Sequence, residues 1–191
     1  MSESNLPGLK AADEFFGWQP EVDRHQERGD GTAILPPAKA SGGATRRHDR
    51  VVVNALRQLA DQLAGQPSFP STANVGIRNP NGSVRRADVV VDGENDSDHP
   101  AEAVDPRVVI EVLSPSTTRF ERFVKIEDYK TNPLIRVILV VNTEAPEIIC
   151  WRRQRADWSY ELIKGLGAVV PLPEVGAELA LAGLYAGIRL A

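Results

Sequence analysis

The chain has 191 residues, with 22 Lys+Arg against 26 Asp+Glu and a formal charge of −4. With 42% hydrophobic and 25% charged residues it has the composition of one ordinary globular domain, which excludes a disordered, collagenous or coiled-coil chain. A net negative protein is no bulk binder of polyanions, so any nucleic-acid contact has to rest on local arginine clusters. The single cysteine, Cys150, can close no intrachain disulfide and build no cysteine-based zinc site, which fits a reducing compartment. Met1-Ser2-Glu3-Ser4-Asn5-Leu6-Pro7 lacks the basic start and apolar run of an export signal, and no uncharged apolar run approaches the length of a bilayer span; a cytoplasmic protein is expected.

In chain order, the first thirty residues read as two helical pieces. One holds Phe15, Phe16 and Trp18, and the second follows Pro20 and stops before the Gly29-Asp30-Gly31 turn. Residues 32–35 follow as a short strand. From Arg47 to Gln66, Val52, Leu56, Leu59 and Leu63 recur at the spacing of one helical face, and Gly65 supplies the stop. After a loop from Pro67 to Pro70 the period changes, and residues 73–78, 84–91 and 107–113 read as strands. The first two form a hairpin around Asn79-Pro80-Asn81-Gly82, and the acidic stretch 92–105 is an insertion between strands.

Ser114-Pro115-Ser116-Thr117 breaks the third strand and offers a hydroxyl cap to a helix from about Thr118 to Lys130, which Asn132-Pro133 terminates. Residues 134–142, rich in β-branched side chains and almost continuously apolar, suit a central strand covered on both faces. Residues 147–153 and 157–163 read as a closing hairpin, and 179–185 as a short terminal helix. The order helix, strand, strand, strand, helix, strand describes an α/β fold, a mixed β-sheet sandwiched by helices. The expected organisation is a single domain over 1–191, with an N-terminal helical extension at about 8–29 and a C-terminal hairpin plus short helix at about 146–191.

The chemistry concentrates in the middle of the chain. Arg107-Val-Val-Ile-Glu-Val-Leu113 sets one carboxylate, Glu111, among residues patterned for burial, and a buried unpaired carboxylate costs several kcal/mol or rises in pKa. Glu111 therefore needs a partner, be it solvent, an arginine or a cation. Asp88, in Arg86-Ala-Asp-Val-Val-Val91, stands beside Arg85 and Arg86, which alone could neutralise it. Read together, the two acids are one strand and one loop apart, which brings both to neighbouring strands. Two carboxylates at one place repel unless a cation joins them, and hard oxygen donors without nearby His or Cys suit Mg²⁺ or Mn²⁺ acting on phosphates. Lys125, near the middle of the following helix, could bring an ammonium to that place; it could equally bridge Glu121 or Asp128 on its own helix.

These residues resemble the Uma-two-type endonuclease family, a branch of the PD-(D/E)XK restriction-endonuclease-like superfamily. The resemblance runs from about Glu21 to Leu190, and its most specific stretch is Ile110-Glu-Val-Leu-Ser-Pro-Ser-Thr117 followed by Arg122, Lys125 and Tyr129. It implies a restriction-endonuclease-like fold and a Mg²⁺- or Mn²⁺-dependent DNA endonuclease. Asp88, Glu111 and the Val112 carbonyl would hold the cation, Lys125 would orient or deprotonate the attacking water, and Tyr129 would support it. The position two residues after Glu111, where the superfamily keeps its lysine, is Leu113, so that role has to move to the helix. Ala87 stands at the family's proline and Glu121 at its aspartate. Upstream, His25-Gln-Glu-Arg-Gly-Asp-Gly31 resembles the family's helix end before a glycine turn, with Glu27 as a further acid.

Arg46, Arg47 and Arg50, with Arg85, Arg86, Arg119 and Arg122, could contact a DNA backbone. A double-strand nuclease with one centre per chain implies a homodimer. His25, His48 and His99 show no metal-ligand spacing and read as surface or hydrogen-bonding residues. Gly165-Leu-Gly167 is a turn, a helix cap accounts for at least one of Ser114 and Ser116, and Cys150 is a buried strand residue. The competing reading is a catalytically silent DNA-binding or interaction protein that keeps the fold for its shape.

Overall fold

The computed structural model describes residues 27–29, 32–34, 45–93, 101–113, 119–155 and 157–190; at 27–34 and 119–122 only the backbone is described. The two helical pieces expected before residue 27 lie outside the described residues. Within that expected N-terminal extension, however, Glu27–Gly29 forms a strand, β1, paired antiparallel with β2 (Thr32–Ile34) around the glycine turn.

The long helix α1 spans Arg46–Leu63. Thr45 caps it, its Oγ1 accepting from the His48 N–H at 3.2 Å, and Gly65 at φ +78° takes the left-handed conformation that turns the chain away. Its buried stripe is Val51, Ala55, Leu59 and Leu63, with Val52 and Leu56 at the margin, so the apolar face is rotated slightly from the predicted one. Nearby polar residues bind it to the C-terminal region: Asn54 donates to the Leu184 carbonyl at 2.8 Å, and Gln58 and Gln62 accept from the Ala180 and Glu178 amides at 3.0 Å.

Of the expected strand 73–78 only β4 (Ile77–Arg78) is present, and β3 (Phe69–Thr72) begins within the expected Pro67–Pro70 loop; the expected strand 84–91 divides between sheets as β5 (Val84–Arg85) and β6 (Val89–Asp92). The hairpin itself is present, with β4 antiparallel to β5 and β3 antiparallel to β6. Gly82, at φ +83°, closes its turn by donating to the Asn79 carbonyl. The chain crosses between the sheets at Arg86-Ala87-Asp88.

β7 (Pro106–Val112), α2 (Arg119–Thr131) and β8 (Val137–Val141) then make a right-order strand–helix–strand unit, with β7 and β8 parallel. β8 is buried at every position, as its apolar run demanded. β9 (Glu147–Gln154) and β10 (Asp157–Lys164) form the closing hairpin. The main sheet has six strands in the order β10-β9-β8-β7-β6-β3, and a smaller one the order β2-β1-β5-β4. A further hairpin of β11 (Val169–Leu172) and β12 (Ala177–Ala180) precedes the one-turn helix α3 (Leu181–Leu184), which is shorter than the expected 179–185. Pro171 and Pro173 hid that hairpin, because proline in a strand pattern argues against a strand unless it lies on an edge.

Alternate residues of β7 face opposite layers. Val108, Ile110 and Val112 join α1 and the C-terminal hairpin in one core, whereas Val109 joins Ile126 and Tyr129 of α2 in the other. Among the described residues no helix is long and apolar enough to cross a membrane.

Candidate functional site

The register of β6 against β7 pairs Val89 with Ile110 and Val90 with Val109. Continued by one step, it sets Asp88 opposite Glu111, so the two acids are cross-strand neighbours at one end of the sheet, as their spacing in the sequence predicts. Asp88 lies where the chain has just left the smaller sheet, and its Oδ2 accepts from the Val112 amide at 2.7 Å. That bond locks the first acid to the residue beside the second.

Glu111 is nearly enclosed, its side chain 13% exposed, on the α2 face of the sheet. Its Oε1 is 3.0 Å from the Lys125 ammonium and accepts from the Tyr129 hydroxyl at 2.7 Å. Lys125 and Tyr129 are one turn apart on α2 and so present their polar ends to the same oxygen. Lys125 also donates to the Arg86 carbonyl at 2.9 Å, on the crossing segment that carries Asp88. Of the alternative partners on its own helix, Asp128 is taken by Arg85 at 2.6 Å and by the Asn81 amide at 2.6 Å, and the Glu121 side chain lies outside the described residues. The burial that would otherwise penalise Glu111 is offset by an ammonium and a phenol directed at it.

The structure adds a residue that the sequence reads only as a surface or hydrogen-bonding histidine. His48, in the first turn of α1, brings Nε2 to 3.3 Å from Asp88 Oδ1, and its side chain is 13% exposed. Nothing in its spacing announced this, because the contact joins a helix start to a residue 40 positions away across the core. The one local hint is Thr45, whose cap fixes where the first turn begins and hence which way residue 48 points.

Glu27 falls on β1, not at a helix end, and the neighbouring pairing of Arg28 with Val84 runs β1 alongside β5, just upstream of Asp88. The basic residues divide. Arg85 is only 5% exposed and bound to Asp128, so it cannot serve as a surface contact to a phosphate, as had been expected from its place in the sequence. Arg86 donates to the Ala73 and Asn74 carbonyls, and Arg47 pairs with Glu144. Arg46 and Arg50 are exposed at the start of α1, while Arg119 and Arg122 lie in the first turn of α2 with side chains outside the described residues. Ser114 to Thr118 are likewise outside them.

Among the described residues no group of three or more His, Cys, Asp and Glu is arranged to hold a metal ion. The donors at this end of the sheet are two carboxylates and backbone carbonyls, with the His48 imidazole beside Asp88; the carboxylates are hard oxygens that suit a cation keeping most of its own water, as Mg²⁺ does.

No curated protein matches the chain. It does match a protein family, Uma2, described as "Putative restriction endonuclease", over residues 12–182, a stretch that takes in every element from β1 to β12. With its mixed, mostly antiparallel sheet between helices and its acids at adjoining strand ends, this chain belongs to the Uma2 family of putative restriction endonucleases and has a restriction-endonuclease-like fold.

Proposed function

We propose that this chain is a Mg²⁺-dependent endonuclease hydrolysing phosphodiester bonds in DNA, with Asp88, Glu111 and the Val112 carbonyl as cation ligands and Lys125 as the catalytic cation. The observation that carries this reading is the position of the Lys125 ammonium, 3.0 Å from Glu111 Oε1 and 2.9 Å from the Arg86 carbonyl, which puts a positive charge between the strands bearing the two acids. It supplies from α2 what Leu113 cannot supply from the strand.

When bound, a divalent cation would neutralise phosphate charge and polarise an attacking water. Lys125 orients that water and stabilises negative charge growing on the phosphate oxygens. Tyr129, buried and hydrogen-bonded to Glu111, holds the carboxylate in one orientation. The Val112 amide and His48 do the same for Asp88. Glu27, on the strand beside β5, is the outlying acid of this reading. Arg46 and Arg50, with Arg119 and Arg122, are the residues proposed to meet the DNA backbone, which makes binding fall with salt. Cutting both strands of a duplex takes two such chains, a homodimer.

Supercoiled plasmid with Mg²⁺ or Mn²⁺ tests the proposal, wild type beside Glu111→Ala. Nicking by the wild type and its loss in the variant is the expected result. Unchanged Mn²⁺ affinity and cleavage in Asp88→Ala would overturn the assigned ligands. The second reading, a silent DNA-binding protein of the same fold, draws on Leu113 in the lysine position, and absence of cleavage together with retained salt-sensitive DNA binding would favour it.

A further inference from the structure

The two ends of the six-stranded sheet differ. At one end β3 has four residues, and Pro70 removes a donor from its ladder. At the other, β10 has eight residues in unbroken register with β9, without proline or bulge, and leaves Tyr160 65% and Leu162 49% exposed. Its one lysine, Lys164, lies at the strand's end, 2.8 Å from Glu147 on β9. An edge of this length with so little to guard it is a template for another strand.

We propose that β10 is the surface on which two copies of this chain join, antiparallel about a two-fold axis, with Tyr160 opposite the partner's Tyr160. The strand's own sequence selects that register. With the axis at Tyr160, Trp158 lies opposite the partner's Leu162, and Ser159 opposite the partner's Glu161, so apolar side chains meet on one face and no like charges meet on either. With the axis at Glu161, that carboxylate faces its own copy; with the axis at Ser159, Asp157 faces the partner's Glu161. The Tyr160 ring is held on this face by packing 4.7 Å from that of Trp151, over which Lys130 lies at 3.6 Å.

The proposed interface needs no part of the nuclease reading, but it has a consequence for it. Tyr160, Trp151, Ile138 and Val109 are paired across four adjoining strands, and Glu111 lies two residues further along β7. A two-fold axis perpendicular to the sheet keeps both Glu111 residues on the same face, roughly 35 Å apart in a flat sheet of normal strand spacing.

Sedimentation equilibrium of the full chain at micromolar concentrations tests the interface without reference to cleavage. Wild type is expected at twice the chain mass, Tyr160→Lys at once the chain mass with unchanged circular dichroism, and Phe69→Lys on the opposite edge still at twice. Under mild diamide oxidation Tyr160→Cys is expected to give a crosslinked dimer, and Ser159→Cys, which faces Glu161, not to. The Cys pair decides the matter if Tyr160→Lys does not fold. A monomeric wild type, a Tyr160→Lys dimer, or crosslinking at Ser159→Cys in place of Tyr160→Cys would overturn the proposal.

Discussion

The two faces of the main sheet are made from the same strands and serve different ends. Toward α1, β7 contributes Val108, Ile110 and Val112 to an apolar layer in which Leu59, Leu139, Leu172 and Leu179 are all fully buried. Toward α2 it contributes Val109 and then Glu111, and the apolar layer around Ile126 and Ile138 gives way to a carboxylate, an ammonium and a phenol in contact. One residue's step along β7 crosses from the layer that stabilises the chain to the layer in which the proposed site lies. A polar cluster is tolerated there because its members satisfy one another, and because the opposite face supplies the stability.

The largest expected effect is on the α2 face. Lys125→Ala is expected to lower plasmid nicking by roughly 10²–10⁴-fold, the range for a positioned acid–base or charge-stabilising group, and to lower the thermal midpoint as well, because Glu111 loses its ammonium partner. A large drop in midpoint with unchanged nicking would erase the distinction between the faces. On the other side, Ile110→Ala should cost about 2–5 kcal/mol of unfolding free energy in a denaturant titration, with nicking intact in the folded fraction. Tyr129→Phe sharpens the boundary, since it keeps the buried ring and deletes only the hydroxyl directed at Glu111. About 1 kcal/mol of stability and a partial loss of cleavage are expected, to be read from melting curves and initial rates in parallel.

The smallest effect concerns Asp92, at the far end of β6 from Asp88. Burial pushes its carboxyl up to about 6, opposed by the hydrogen bond from the Asp105 amide and reinforced by the charge of Asp105, which Arg107 partly balances. The folded chain therefore holds a proton here that the unfolded chain has released between its ordinary value of 3.8 and about 6, so stability from this group is greatest at low pH and falls as pH rises through that window. Asp92→Asn should raise the melting temperature slightly above pH 6, with the gain vanishing toward pH 4; a gain that persists at pH 4 would mean that charge is not its source.

Local pattern carried much of this molecule. The α1 stripe, the all-apolar β8, the strand–helix–strand unit and the β9–β10 hairpin follow from periodicity, because burial on one face, on both faces or on alternate residues writes itself into neighbouring positions. Glu111 was legible for the same reason, as one charge within a buried pattern. The division of 84–91 between two sheets was not, since Arg86-Ala87-Asp88 carries no glycine or proline and β1 and β7 claim different halves of the segment. Nor were the β11–β12 hairpin, obscured by its prolines, or the fate of Arg85, whose burial depends on Asp128 in a helix that follows it by more than thirty residues.

What the sequence by itself determined is α1, the central strand–helix–strand unit, the closing β9–β10 hairpin, the family and the neighbouring acids, each encoded by residues close together along the chain. Only the tertiary structure decided that Lys125 reaches Glu111, that His48 reaches Asp88, and that Arg85 is spent inside the protein. Those choices are made by charges that become neighbours only after α1, the sheet and α2 have packed, and burial then leaves each of them the partners within reach.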